Sequence, residues 1–481
     1  MAFLPELMLL AGALAVFVVC LGEGRVRLAK ATATGAAVAT LLACLVSFRE
    51  TALLFEGAYR VDLFSQGLKL VFALGFLFIV LVGGELPDIR EDAKPEYYLF
   101  LTLNVTGLTL LVSCVDLLTL VVALQLASFP LYFLVALRRE RDEQRNQMEA
   151  VVKYIMFGIT ATGIMLFGMS YLFGVTGTTS MPTLQARLAP LVYSPLVIAG
   201  LALMWAGLLY KLAVFPFHFW TPDVYQGGSN ETTSLVASLP KLGALAVLVR
   251  FVTLATPEHE PLALLLTCLA IASMCYGNVL ALVQKDVKRL FGFSGIAHAG
   301  YALIGLVTLD PVGHVAALYY LIAYQFMVLA CFVVVCRVAP GGGNVALGDL
   351  AGLHRRSPLL MLTLLVGVFG LAGLPPFAGF MAKLTLLKAA LAKGHLTLVI
   401  VAVLNTAVAI YYYLALVREA CFRDPEGQPA IRLDAPTRAL CVVLIAGVVL
   451  LGLAPTALLE HLAAALATAW GPIGLAGSGT P

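Results

Sequence analysis

Leu209-Tyr210-Lys211-Leu212-Ala213-Val214-Phe215-Pro216-Phe217-His218 places a lysine, a proline and a histidine inside an apolar run that extends from Ser194 to Gln226. A membrane helix needs about 20 residues, so the run is too long for one simple span, and its proline breaks it. A second run, Ser357 to Ala392, repeats the plan with Gly373-Leu374-Pro375-Pro376-Phe377-Ala378-Gly379-Phe380-Met381-Ala382-Lys383. A charge at bilayer depth costs about 2.5–3.5 kcal/mol on insertion scales and seldom sits there without a task. Paired interrupted segments in two halves of a membrane protein point to an ion or substrate site. The sequence therefore reads as that of a chain that moves an ion.

Composition agrees. Of 481 residues, 61% are hydrophobic and 12% charged, and the mean hydropathy of +0.97 exceeds what one soluble core can bury, so lipid is the main solvent. The formal charge of +3 says little, because the placement of charges matters more than their sum. No hydrophilic stretch is long enough for a soluble domain, which excludes a nucleotide-, flavin- or nucleic-acid-binding module. The nine cysteines form no C-x-x-C pair and fall mostly in apolar runs, so they read as small buried hydrophobes rather than ligands of zinc or iron–sulfur clusters. Met1-Ala2-Phe3-Leu4-Pro5-Glu6 lacks the basic region of a cleaved signal and opens the first span.

A ruler of about 20 residues gives about fourteen spans. They fall near 3–22, 28–48, 66–84, 97–114, 116–137, 149–174, 194–226 (broken), 232–254, 261–283, 291–309, 312–338, 357–392 (broken), 395–418 and 436–458. The odd-numbered loops carry the basic residues: Arg25 and Arg27, Arg90 and Lys94, Arg138, Arg139, Arg141 and Arg145, Lys285, Lys288 and Arg289, Arg355 and Arg356, Arg423 and Arg432. The even loops hold little beyond Arg49, Arg60, Arg187 and Lys393. By the positive-inside rule the odd loops are cytoplasmic and both termini face the periplasm. The fold expected is an all-α polytopic membrane protein with two inverted five-helix repeats, spans 4–8 and 9–13, in which the broken helices 7 and 12 are the fourth members. The corresponding divisions are residues 1–95 for spans 1–3, 96–258 and 259–420 for the two repeats, and 421–481 for span 14 and the tail.

Polar groups recur near mid-depth: Gln125 on span 5, Lys211 on span 7, Lys241 on span 8, His298 on span 10 and Lys383 on span 12. Desolvation disfavours an ammonium, so a buried lysine can release and rebind a proton near neutral pH, and histidine does so with little tuning. Prolines free carbonyls one turn earlier, which calls for a hydrated pocket beside each break. The competing reading for Lys211, Lys241 and Lys383 is an ammonium tied to those carbonyls, and for His298 a polar residue that glues helices together. Lys153 lies just inside span 6, where snorkelling to the interface competes with function. Lys30, Lys69 and Lys388 read as structural, snorkelling or facing a cavity.

The stretch Tyr210-Lys211-Leu212 through Trp220-Thr221-Pro222-Asp223-Val224-Tyr225-Gln226-Gly227 resembles the signature of subunit N of bacterial respiratory complex I. Gln284-Lys285-Asp286-Val287-Lys288-Arg289-Leu290 through Ser294-Gly295-Ile296-Ala297-His298-Ala299-Gly300-Tyr301 is similar to a motif shared by the antiporter-like subunits, and the block ending in Lys383 to a third. The resemblance covers spans 1 to 14. It implies fourteen helices and proton translocation driven by NADH oxidation and quinone reduction in other subunits. It implies proton-path roles for Lys211, Lys241 and Lys383, with His298 and Lys153 also at family positions. Lysine rather than glutamate at 383 favours subunit N or L over M, and the lack of a long lateral C-terminal helix disfavours L. The resemblance further implies no cofactor in this chain, with NADH, FMN, iron–sulfur clusters and quinone held by partners. Antiporter-like subunit M and small subunits K and J are the implied neighbours in a bacterial inner membrane.

Gln125 departs from the pattern. The family carries a glutamate there, the ion-pair partner of the lysine on span 7. Glutamine is isosteric but cannot carry charge, so it can orient water or Lys211 without gating it, and Asp116 is a candidate replacement. The rival functions are a cation/proton antiporter of Mrp type, a module of a membrane-bound hydrogenase-like complex, and a spacer that conducts nothing.

Overall fold

The computed structural model describes residues 1–22, 24–139, 145–191, 193–252, 260–425 and 427–469. Arg141 and the tail 470–481 lie outside the described residues. The chain opens with α1 (Leu4–Cys20) and α2 (Val26–Val46), a hairpin of β1 (Ala52–Leu54) and β2 (Tyr59–Val61), and α3 (Leu63–Gly83). There follow α4 (Lys94–Leu111), α5 (Leu117–Ala136), α6 (Arg145–Thr176), the short α7 (Met181–Leu188), α8 (Pro195–Leu212), α9 (Thr221–Gly227), α10 (Asn230–Ala237) and α11 (Leu239–Val252). A second series comprises α12 (Glu260–Ala281), α13 (Val287–Val307), α14 (Pro311–Val338), the single turn α15 (Leu353–Arg356), α16 (Pro358–Ala372), α17 (Ala378–Ala392) and α18 (Leu396–Phe422). The described chain closes with α19 (Ala435–Leu453) and α20 (Thr456–Thr468).

Among the described residues, eleven helical stretches are long and apolar enough to cross a membrane. The remaining expected spans correspond to α1 with 17 residues, to α4, and to α16 and α17 with 15 residues each. The chain is thus an all-α, multi-pass membrane protein, for which length and composition alone yield eleven spans where fourteen were expected. Four of the long spans begin at side-chain caps. Asp62, Asp116, Asp286 and Asp310 accept hydrogen bonds from the first-turn amides of α3, α5, α13 and α14, satisfying donors that lipid cannot.

The two repeats are visible in packing. α4 lies on α5 as α12 lies on α13, and α6 packs against α8 and α9 as α14 packs against α16 and α17. Each repeat also carries the same clasp. Asp116 bridges to Ser180 and Asp286 to Ala346, with Leu117 N–H donating to Thr179 O and Val287 N–H to Val345 O. The first clasp joins even loops and the second odd loops, which puts them on opposite faces, as inversion requires.

The breaks match in backbone detail. α8 ends on Ala213 and α16 on Gly373, both left-handed, at φ 66° and 84°. In each, the next residue's amide reaches back five positions, Val214 to Leu209 O and Leu374 to Phe369 O. A third break was not expected. Span 8 is interrupted at Ser238 (φ −113°, ψ −88°), dividing α10 from α11 immediately before Pro240 and Lys241.

Candidate functional site

Lys211 is the penultimate residue of α8, Lys241 lies in the first turn of α11, and Lys383 lies in the second turn of α17. All three are buried, as is His298 in the middle of α13. Each lysine therefore stands beside a helix break, yet their surroundings differ.

Lys383 donates from Nζ to the carbonyls of Leu371 and Ala372, at 3.3 and 3.1 Å, the two residues that close α16 before its break. This is the geometry of an ammonium held by freed helix carbonyls. Lys241 donates to the Gly295 carbonyl of α13 at 3.1 Å. Among the described residues Lys211 has no hydrogen-bond partner; its ammonium faces the rings of Tyr132, Tyr154 and Tyr210 at 5.4–5.8 Å. Beside it is a cavity of about 10 Å³, room for about one water, lined by Leu124, Ala127, Ser128, Leu131 and Pro240 among others.

Tyrosines join these groups into a row. The ring of Tyr324 lies 5.6 Å from Lys241 Nζ and 5.0 Å from the His298 ring. On the other side, the Tyr301 ring is 6.2 Å from His298 and 4.7 Å from Lys383 Nζ. His298 is hydrogen-bonded through Nδ1 to the Tyr320 hydroxyl at 2.6 Å and through Nε2 to the Tyr413 hydroxyl at 3.0 Å. Toward Lys211 the link runs through Pro240, which lines the Lys211 cavity and precedes Lys241. Lys241, His298 and Lys383 are thus brought together in one buried file, and Lys211 lies in a cavity whose wall includes the proline next to Lys241. The sequence reading missed the tyrosines, although Tyr320 and Tyr324 are one helical turn apart on α14 and buried phenols need partners.

The other two candidates lie apart from that file. Lys153 is partly exposed and ion-paired with Glu149 and Asp223, at 2.5 and 2.6 Å. Asp223 also holds Arg289 at 2.7 Å, so the acid of the Trp-Thr-Pro-Asp block ties α9 to α6 and α13. Gln125 is half-buried and does not line the Lys211 cavity; the face of α5 turned there carries Leu124, Ala127, Ser128 and Leu131. Asp116 is engaged as the cap of α5 and does not replace the missing acid. Lys69 corrects the expectation of snorkelling. It is fully buried and sits 2.7 Å from Glu6 Oε1.

Residues 114–409 match the model of the NADH:quinone oxidoreductase/Mrp antiporter transmembrane family. The chain belongs to this family. It is similar to NADH-quinone oxidoreductase subunit N 2 of Opitutus terrae, with 61% identity over 468 residues that cover 97% of this chain and 98% of the relative. Subunit N 2 of Syntrophobacter fumaroxidans is 41% identical over 421 residues, 87% of this chain and 89% of the relative. Among solved structures, a chain of respiratory complex I from Thermus thermophilus with bound aureothin superposes with a TM-score of 0.83 at 32% identity, covering 96% of this chain and all of that one. A chain of the Mrp complex from a Dietzia species has a TM-score of 0.86 at 21% identity, covering 98% of both, a likeness of fold alone.

Proposed function

We propose that this chain is the subunit N-like, proton-translocating component of the membrane arm of an NADH:quinone oxidoreductase. The observation that carries the reading is the buried file Lys241, His298 and Lys383, joined by Tyr301 and Tyr324, with Lys211 in a cavity walled by Pro240 beside it and each of the three lysines at a helix break. Such a file stores cationic charge where lipid opposes it, with tyrosine hydroxyls and water as the steps by which a proton passes along it. The chain works as a translocase without redox chemistry of its own. NADH, FMN, iron–sulfur clusters and quinone belong to partner subunits, and antiporter-like subunit M with small subunits K and J flank it. It resides in the bacterial inner membrane with both termini periplasmic.

Lys211 separates this reading from that of a non-conducting spacer. In the assembled complex, Lys211→Ala is expected to lower the number of protons pumped per NADH oxidised while the complex still forms. Full coupled pumping in that variant would leave the chain only a scaffolding role.

A further inference from the structure

Glu231 is a buried acid that the file of lysines does not use. It occupies the first turn of α10, is 1% exposed, and one carboxylate oxygen has no hydrogen-bond partner among the described residues. The Ser229 side chain is its hydrogen-bond partner, Asp88 and Lys288 are the charged groups that act on it, and its own charge bears on Tyr97 and Tyr98 of α4 and Cys336 of α14. Asp88 is held by Arg138 at 2.6 Å, and Lys288 donates to the Gly228 carbonyl at 2.6 Å. These charged partners come from the basic odd loops and their helix ends, so Glu231 lies toward the face that the positive-inside rule makes cytoplasmic.

From this acid a row of hydroxyls leads to Lys241. Glu231, Ser234 and Ser238 follow one another at intervals of three and four residues, the spacing of one helical face, and Lys241 stands three residues beyond the break at Ser238. All four are buried. Ser234 donates to the Glu231 carbonyl at 2.7 Å and Ser238 to the Ser234 carbonyl at 2.6 Å, so each hydroxyl oxygen keeps lone pairs to accept a proton. Ten residues at about 1.5 Å each span about 15 Å, from the cytoplasmic end to mid-depth. The helix break at Ser238 falls at the last step, where the Lys241 amide donates to the Ser238 carbonyl at 3.3 Å.

We propose that Glu231 is the proton acceptor through which Lys241 is reloaded from the cytoplasmic face, with Ser234 and Ser238 as hydroxyl steps. The carboxylate takes a proton that enters from the cytoplasmic face. Each hydroxyl, or a water beside it, accepts one proton and gives up another, and the neutral Lys241 amine becomes an ammonium. One proton enters and one arrives, and no electrons move. The proposal rests on the proton-translocating reading above. The alternative role is structural, an acid placed at the N-terminus of α10 where the helix dipole favours it.

The experiment compares Glu231→Gln, Glu231→Asp and Lys241→Ala in the intact complex in membrane vesicles, recording protons pumped per NADH oxidised and the amount of assembled complex. Glu231→Gln preserves shape and is expected to cause the same loss of pumped protons as Lys241→Ala, with Glu231→Asp restoring most of it. A normal ratio in Glu231→Gln, beside a lowered ratio in Lys241→Ala, overturns the role of Glu231 and leaves the translocating reading standing. Equal loss in Glu231→Gln and Glu231→Asp also overturns it, because a proton carrier needs a carboxyl group and not one fixed shape. A normal ratio in both Glu231→Gln and Lys241→Ala overturns the translocating reading itself.

Discussion

At the scale of single residues, Gly295 matters as much as the lysine it receives. A Cβ built at 295 would lie 2.6 Å from Lys241 Nζ, 3.3 Å from the Tyr324 hydroxyl and 3.6 Å from the Tyr225 hydroxyl. The atom nearest the clash is the free end of a flexible side chain, so Gly295→Ala is expected to leave helix and assembly intact and to displace the ammonium from the Gly295 carbonyl. Proton pumping per NADH should then fall several-fold in this subunit's share with normal amounts of complex; an unchanged ratio would mean that Lys241 carries nothing from this position. The repeat gives the position further meaning. Gln125 stands nine residues after the clasp aspartate Asp116, and Gly295 stands nine after Asp286. The site where an acid was expected therefore corresponds, in the other repeat, to the site where Lys241 docks. By the same count Ser128, which lines the Lys211 cavity, corresponds to His298.

At the scale of elements, the helix breaks divide the work between backbone and side chain. Both α8 and α16 end on a left-handed residue, but α16 uses glycine and α8 uses alanine. A left-handed non-glycine residue costs about 1–2 kcal/mol. Gly373→Ala should therefore lower the thermal stability of the assembled subunit, and its Cβ would also lie 2.9 Å from Lys383 Cδ. Ala213→Gly removes that cost where the chain already bears it and should be neutral or mildly stabilising. Thermal melting of the purified complex with both variants checks the pair, and equal effects would contradict the assignment of strain. The two outer breaks were legible because Pro216 and Pro375-Pro376 interrupt runs too long for one span. The break at Ser238 was not, because α10 and α11 together have the length of an ordinary span and Pro240 sits where a helix tolerates it, at the second position. Pairing a lysine with each break was right, but the equivalence was not complete. Lys211 precedes its left-handed residue by two positions, whereas Lys383 follows its own by ten, so the two lysines project from opposite halves of equivalent helices.

At the scale of the whole molecule, α1 to α3 stand outside the two repeats and must be held against them by something stronger than lipid-like contact, since apolar packing alone gains little between helices in a bilayer. Hydropathy made these helices visible but left their docking illegible, because ion pairs between distant residues leave no periodic trace: Lys69 read as snorkelling or facing a cavity, and nothing in the sequence linked it to Glu6. In the structure Lys69 Nζ lies 2.7 Å from Glu6 Oε1, both side chains are fully buried, and the Tyr59 hydroxyl donates to the same oxygen at 2.6 Å. The pair is continued at the membrane edge by Asp62, which caps α3 and receives Arg250 of α11 at 3.0 Å. One face of α3 thus ties α1 to the helix that carries Lys241. Removing one member of a buried ion pair costs about 3–5 kcal/mol, because the other charge is left unpaired, whereas replacing both members by neutral groups of similar size is often close to neutral. Lys69→Met alone should sharply reduce the yield and melting temperature of the complex, Glu6→Gln alone should do the same, and the double variant should recover most of both. If the single variants are silent, the pair does not hold α1 in place. If the double variant is as unstable as the worse single one, the charge itself rather than its neutralisation is required, and the cluster belongs with the functional groups and not with the frame that supports them.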